Sequence, residues 1–505
     1  MAPKLTIYYT SDMHGFLYPT THGDHVLRPM GLLGMVPQFH KDGNTLILDC
    51  GDTIQGSPLT YYCHSRGLPC PMIPAMNAAG YDDVTLGNHD FNFGYDALYA
   101  YLTALRARCV CANVKDRAGR LPIVPYTVHT LENGLRVGIT GAVTNWVNRW
   151  EQPDTLAHFE IGDPFAALQS ALAALREQAD FTVCLYHGGI EKDLQTGRLL
   201  SGTDENIACR IAEELDFDLL LTGHQHIPLA NITYCGTHLV QTPASATHFA
   251  KIEGWEDGSI TSRLMPSDPS QMPPVAGEMM PLKRELDAWL DRPIGRLNMA
   301  LAPGDKLQMA LYGAPIANFF NQVQLAASGA DISVTSLPND MRGFEKSVTV
   351  RDVVATYVYA NTLVVLRVTG RVLKQALERC AAYFDVSPEG EVSIAEDFLK
   401  PKVAHYNFDF FLGIEYTFDL NKPVGQRVAR TARNGVPVAD GQLFTLCMNN
   451  YRATGTGGYE AYLTCPRLRE INREVSELIL DYLAEHGDVT VDAASPLTVI
   501  FPEKA

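Results

Sequence analysis

The sequence predicts an α/β fold over its first half and a mixed α+β domain over its second. Three observations carry that expectation: short β-rich runs that each end in a polar, often Gly-containing loop, helical stretches between them, and a Pro-rich break near residue 270. The runs begin with Leu5–Tyr9, Thr45–Leu48 and Asp83–Leu86. Arg136–Ile139, Phe181–Leu185 and Asp218–Leu221 follow. Most are continuously apolar instead of alternating, which is the pattern of strands covered on both faces. Between them, Asp163 is placed to cap and Pro164 to open a helix through Ala166, Leu168, Leu172 and Leu175. A second helix is expected to start at Asp204 and to carry Ile207, Ile211 and Leu215.

Pro266, Pro269, Pro273 and Pro274 mark a linker, and a charged helical segment, Leu282 to Leu290, follows it. The expected division is 1–265, a linker with helix over 266–293, and 294–505. Helical signals around Ala314 to Ala327 and strand-like runs at Ile332–Val334 and Leu363–Leu366 give the last segment its α+β character.

Composition narrows the function classes. The chain has 505 residues, 40 Lys+Arg against 57 Asp+Glu, a formal net charge of −17 and 46% hydrophobic residues. It is therefore a folded acidic protein long enough for two to four cores. An acidic balance argues against DNA, RNA or anionic membrane as partner, because those surfaces need clustered Lys and Arg. No apolar run is long enough to span a bilayer. Eleven cysteines, an odd number without framework spacing, suit a reducing compartment, and the N-terminal residues carry no secretion-signal pattern. A cytoplasmic location is expected.

The chemistry-bearing residues gather at strand ends. Five runs end in loops holding Asp12 and His14, Asp52, Asn88 with His89 and Asp90, His187, and Gly223-His224-Gln225-His226. Ligand sites of α/β sheets lie beyond the carboxyl ends of the strands, so loops some 210 residues apart in sequence are expected to converge. Each element alone is a common feature of loops, whereas five of the 15 histidines falling at successive strand ends is not. Imidazole, carboxylate and amide oxygen together suit Mn, Fe, Zn, Co or Ni, and need no thiolate. Asp52 is the natural bridge between two such ions.

The blocks TSDMHG, GDTIQGSPL, GNHDFNFG, the His187 loop and GHQH, in this order, resemble those of the calcineurin-like binuclear metallophosphoesterases, in the branch that carries a 5′-nucleotidase C-terminal domain. The resemblance implies an N-terminal β-sandwich flanked by helices and a C-terminal α+β nucleotide-binding domain. It implies two divalent metal ions, one held by Asp12, His14, Asp52 and His226 and the other by Asp52, Asn88, His187 and His224. It makes His89 the residue beside the scissile phosphate that assists the leaving oxygen while a metal-bound hydroxide attacks phosphorus. In the 5′-nucleotidase type an Asp three residues on orients that His. Here the position is Asn92, as in the cyclic-phosphodiesterase branch, so His89 is expected to lack a carboxylate partner, and Asp90 stands where Glu is usual.

The second half extends the resemblance. VYANTLVVLRVTG, HYNFDFFLGIEY and NNYRATGTGGY are similar to blocks of bacterial 2′,3′-cyclic-nucleotide 2′-phosphodiesterase/3′-nucleotidases. By position, Tyr406 and Tyr451 would sandwich a nucleobase, the alternative being that both are core aromatics, while Asn450, Gly455, Gly457 and Gly458 would bring backbone to the nucleoside. Arg342 stands nearest to the family's phosphate-binding Arg, in a stretch that departs from the usual Gly-Gly-Arg-like turn. The expected activity is metal-dependent hydrolysis of 2′,3′-cyclic and 3′-nucleotides. A 5′-nucleotidase or nucleotide-sugar hydrolase is the enzymatic alternative, and an inactive nucleotide-binding protein is the non-enzymatic one. The expected partner is a small-molecule nucleotide, with no nucleic-acid polymer and no membrane, and the oligomeric state is left open.

Overall fold

The computed structural model describes residues 3–200, 204–359, 361–400, 403–471 and 473–502. Ala360, within the VYANTLVVLRVTG block, lies outside them. The chain divides into two compact units, Met1–Leu286 and Asp287–Ala505, and the division falls inside the helix Val275–Leu290.

The first unit is built on two sheets. One has seven strands, its centre formed by Leu5–Thr10 between the antiparallel strand His248–Gly254 and the parallel strand Thr45–Asp49. The other has six, with Arg136–Val143, Phe181–His187, Leu219–Thr222 and Thr237–Gln241 parallel and adjacent. Alternation of side chains explains how each strand serves two layers. Leu5, Ile7, Tyr9, Leu46 and Leu48 from the first sheet meet Val137, Ile139, Val183, Leu185, Leu219 and Leu221 from the second in one buried cluster. The intervening Cys184, Tyr186 and Leu220 face outward onto Phe165, Leu168 and Leu172 of the helix Pro164–Leu175 and onto Ile211 of Ala208–Glu214. This is a sandwich with helical cover, and strands covered on both faces read as continuous apolar runs.

The first expected helix begins as read, with the Asp163 side chain accepting from Phe165 N–H. The second does not start at Asp204 but at Ala208. The Asp204 carboxylate instead accepts from the Trp146 indole, and the buried Glu191 accepts from the N–H groups of Cys209 and Arg210. A carboxylate remote in sequence thus caps this helix, which local capping signals do not register. The run Asp83–Leu86 pairs as a strand only over Asp83–Val84, whereas Arg136–Ile139 extends to Val143.

The second unit has a five-stranded sheet in the order Asp409–Leu412, Ile332–Ser336, Leu443–Asn449, Leu363–Thr369, Arg467–Ile471. The amphipathic helix Pro315–Ser328 packs on it, its buried Asn321 donating to the Phe410 carbonyl and accepting from the Ser333 hydroxyl. A four-stranded sheet with Glu415–Asp419 and Val428–Arg433 at its centre accompanies it. The arrangement is α+β.

Candidate metal centre

The loops that follow Leu5–Thr10, Thr45–Asp49, Asp83–Val84, Phe181–His187 and Leu219–Thr222 do converge. Ligand atoms of Asp12, His14 and His226 lie within 4.8 Å of one another, as do those of Asp12, Asp52 and His187. Asp12 belongs to both groups, and the Asp52 Oδ2 atom lies 3.2 Å from His187 Nε2 and 3.8 Å from His14 Nε2. Two carboxylates therefore stand between two sets of imidazoles. Asn88 and His224, the other two residues expected in the second set, lie against each other nearby, with Asn88 Oδ1 2.9 Å from His224 Nδ1 and the His224 ring 5.7 Å from that of His187.

The backbone is strained to achieve this. Asp12, His14, Asp52, His224 and His226 all have φ between 48° and 72°, in the left-handed region that side chains disfavour. The loops also approach closely: a Cβ on Gly87 would lie 2.1 Å from the Asp52 Oδ1 atom, so only glycine fits there. Asp90 binds the two loops together, its carboxylate accepting from the N–H groups of Gly87, Asp52, Thr53 and Ile54.

Tautomers and charges suit divalent ions. His187 donates through Nδ1 to the Cys50 carbonyl, and its buried Nε2 makes no hydrogen bond among the described residues and faces the Asp52 carboxylate at 3.2 Å. His14 likewise contacts the Gln55 carbonyl through Nδ1, and its Nε2 faces the Nε2 of His226 at 3.2 Å. Nitrogens so opposed present lone pairs to a common point, the arrangement a metal ligand requires. Burial pushes the His14 ring down to about 4, which keeps it neutral, whereas at His187 and His226 burial is outweighed by the Asp52 and Asp12 carboxylates, which hold the imidazoles above their ordinary value, the pull that a bound cation would share. Burial alone would raise Asp52, but His187 above all, with His89, outweighs it and holds its carboxylate well below the usual range. His224 has its own outer carboxylate, Glu205, 2.9 Å from Nε2, which leaves Nδ1 on the metal side.

His89 lies beside these groups, its ring 5.3 Å from that of His14 and its N–H donating to Asp52 Oδ1. Its Nδ1 is 2.7 Å from Asn92 Oδ1, so no carboxylate pairs with it directly, as the sequence led us to expect. One stands immediately behind: Asn92 Nδ2 donates to Glu151 Oε2 at 2.8 Å. Glu151, and Trp150, which stacks on His224 at 5.5 Å, belong to a segment that sequence reading missed. It follows Arg136–Val143, another strand of the parallel set, and applying the strand-end rule to that run would have found it.

In the second unit, Tyr451 is 46% exposed and Tyr406 half-buried, which counts against both being core aromatics. Tyr359 is their neighbour: burial, with Tyr406, Tyr451 and Asp340 close by, pushes its phenol up to about 12. Asn450 pairs with the backbone of Thr362. A Cβ on Gly457, at φ 77°, would lie 2.4 Å from Asn407 Oδ1 and 2.5 Å from an Arg452 nitrogen, and one on Gly458 would meet Arg379. Internal packing thus leaves no room for a Cβ at either glycine, and one on Gly455 would likewise meet Leu463. Arg342 forms an ion pair with Asp352 at 3.5 Å, on the helix Val350–Thr356.

A two-sheet sandwich with paired Asp/His clusters at its strand ends defines a metal-dependent phosphoesterase. Residues 5–228 match the calcineurin-like phosphoesterase family and residues 298–464 match the 5′-nucleotidase C-terminal domain. The chain is 32% identical to a Staphylococcus aureus protein provisionally named a 5′-nucleotidase, solved with alpha-ketoglutarate. The match covers 98% of this chain and 99% of that one, with a TM-score of 0.83. It is 26% identical to the trifunctional nucleotide phosphoesterase protein YfkN of Bacillus subtilis, a match over 97% of this chain but 38% of that protein's length. It is 25% identical to the 2′,3′-cyclic-nucleotide 2′-phosphodiesterase/3′-nucleotidase of Salmonella typhimurium, over 89% of this chain and 81% of that protein. The chain belongs to the calcineurin-like metallophosphoesterases that carry a 5′-nucleotidase C-terminal domain. Among the described residues no helix is long and apolar enough to cross a membrane.

Proposed function

We propose that the protein hydrolyses nucleotide phosphomonoesters, with 5′-nucleotides its preferred class. The observation that carries the reading is the pair of donor sets meeting at Asp12 and Asp52, with His89 beside them. Asp12, His14, Asp52 and His226 would hold one divalent ion, and Asp52, Asn88, His187 and His224 the other. Such ions supply Lewis acidity and activate water for displacement at phosphorus. His89 is the proton-carrying group of this chain. With Nδ1 engaged by Asn92, its Nε2 is the atom free to protonate a departing alkoxide. The preference for 5′-nucleotides is supported by the full-length likeness to the S. aureus protein.

A second reading, hydrolysis of 2′,3′-cyclic and 3′-nucleotides, is favoured by one specific residue, Asn92 in place of an Asp, and by the names of the Salmonella typhimurium and Yersinia enterocolitica relatives at 25% and 26% identity. Tyr406 and Tyr451 would stack on the base in either case, each worth about 1–3 kcal/mol. Arg342 as the phosphate ligand belongs to the proposal only if its pair with Asp352 opens. A reducing, cytoplasmic setting is part of the same proposal and rests on the scattered, odd-numbered cysteines.

Phosphate release from 5′-AMP, 3′-AMP, 2′,3′-cyclic AMP and UDP-glucose, with Mn²⁺ or with EDTA, tests it. A coupled phosphomonoesterase is needed for the cyclic substrate. EDTA-sensitive turnover led by 5′-AMP is the expected result. Turnover led by the cyclic and 3′ substrates transfers the protein to the second reading, and silence across the panel overturns both.

A further inference from the structure

The buried Glu151 carboxylate is 6% exposed and accepts from two sides, Gln152 N–H at its Oε1 and Asn92 Nδ2 at its Oε2. The Thr155 side chain contributes a third hydrogen bond. A carboxylate flanked by donors only accepts, so the nitrogen end of the Asn92 amide must face it and the oxygen end must face His89. That orientation matters because an amide, unlike a carboxylate, presents a donor and an acceptor of nearly equal shape. An unrestrained Asn92 could turn its NH₂ to His89 and impose the opposite tautomer on the ring.

We propose that Glu151 is a positioning residue for the leaving-group step: it fixes the Asn92 amide so that Asn92 Oδ1 accepts from His89 Nδ1–H, which reserves His89 Nε2 for the departing oxygen. The inference rests on the phosphoesterase reading above. In the step it serves, the bond from phosphorus to the leaving oxygen breaks as the bond to the water oxygen forms. The Nε2 proton passes to the alkoxide, Nδ1 keeps its own, and the proton released by the attacking water restores the ring. The chain His89–Asn92–Glu151 thus places a carboxylate one amide away from the imidazole, with the same directional effect as a direct partner.

The test uses two monoesters that differ in their need for that proton: whichever of 5′-AMP and 3′-AMP is turned over faster, whose alkoxide must be protonated, and 4-nitrophenyl phosphate, whose nitrophenolate need not be. Glu151→Gln, which can donate as well as accept, is expected to lower kcat on the nucleotide by about 30-fold, a part of the 10²–10⁴-fold available to a general acid. On 4-nitrophenyl phosphate the loss stays within about threefold, with bound metal unchanged. Asn92→Asp alone sets two carboxylates against each other and also loses activity. In the double variant Asn92→Asp/Glu151→Gln, the amide introduced at position 151 donates to the new carboxylate, and activity recovers at least about tenfold over Glu151→Gln. Equal losses on the two substrates, or a double variant no better than Glu151→Gln, overturn the assignment of Glu151 while leaving the phosphoesterase reading intact. A metal-loaded wild type inert on both substrates overturns that reading itself.

Discussion

The Asp90 carboxylate accepts a hydrogen bond from the main-chain N–H of Asp52 at 2.9 Å and three more from Gly87, Thr53 and Ile54. The residue that stands where the family usually has Glu is therefore a clamp between the loop that offers Asp52 and the loop that offers Asn88 and His89. Asp90 is almost wholly buried, so removing it leaves four N–H groups without a partner, at about 1–3 kcal/mol for each that cannot find water. Asp90→Ala is expected to lower the melting temperature and the bound metal together, measured by calorimetry and elemental analysis. A variant with full metal content would show that the loops hold their places without the clamp.

His89 and Asp52 separate catalysis from metal binding. His89→Asn is expected to retain metal and to lose turnover by at least about 10²-fold, the usual share of a general acid. Asp52→Ala, which takes the carboxylate from between His14 and His187, loses both. Equal metal loss in the two variants would remove His89 from its proposed role.

Asp49 gives a pH dependence of stability. It is fully buried with Thr10, Thr53 and Gly51 donating to it, and burial pushes its carboxyl up to about 7 from an ordinary value near 3.8. The folded state thus holds a proton that the unfolded chain releases. The stability this confers is complete below the unfolded value, falls as pH rises, and is gone above about 7. Asp49→Asn has no such titration, so its melting temperature relative to wild type should rise between pH 5 and pH 8. A difference constant across that range would mean that Asp49 is ionised throughout.

In the second unit, Arg452 and Asp409 form a buried pair at 2.9 Å, and Arg452 also donates to the carbonyls of Tyr406 and Thr456. Breaking a buried pair from one side costs about 3–5 kcal/mol. Arg452→Met should therefore lower stability by that order in chemical denaturation, and should weaken nucleotide binding through the displaced Tyr406. Unchanged denaturation would show that the loop is held by other contacts.

The division between what the sequence disclosed and what it withheld follows from range. Strands such as Phe181–His187 and Leu219–Thr222 are continuously apolar because both faces are covered, and their ends in His187 and His224 made the metal centre legible. Asp163 disclosed its helix because capping is local. Glu191 capping Ala208–Glu214, Glu205 behind His224, and Glu151 behind Asn92 were not legible: each acts 18 to 59 residues away, through a contact that only the folded chain brings about. Substrate recognition was the least legible part. At Gly457 and Gly458 the direction a Cβ would take is filled by the side chains of Arg452, Asn407 and Arg379, contacts that only the folded chain brings about.

Five of the seven expected metal ligands sit in left-handed backbone, a conformation that costs about 1–3 kcal/mol for each such residue. Selection for thermal robustness alone would accordingly pull this chain away from its chemistry. Glycine at Asp12, His14, Asp52, His224 or His226 relieves the strain and abolishes a ligand in the same stroke. A stability screen run without activity as a counter-selection should enrich inert proteins with replacements at these five positions, and breeding a hardier enzyme would have to begin by holding them fixed.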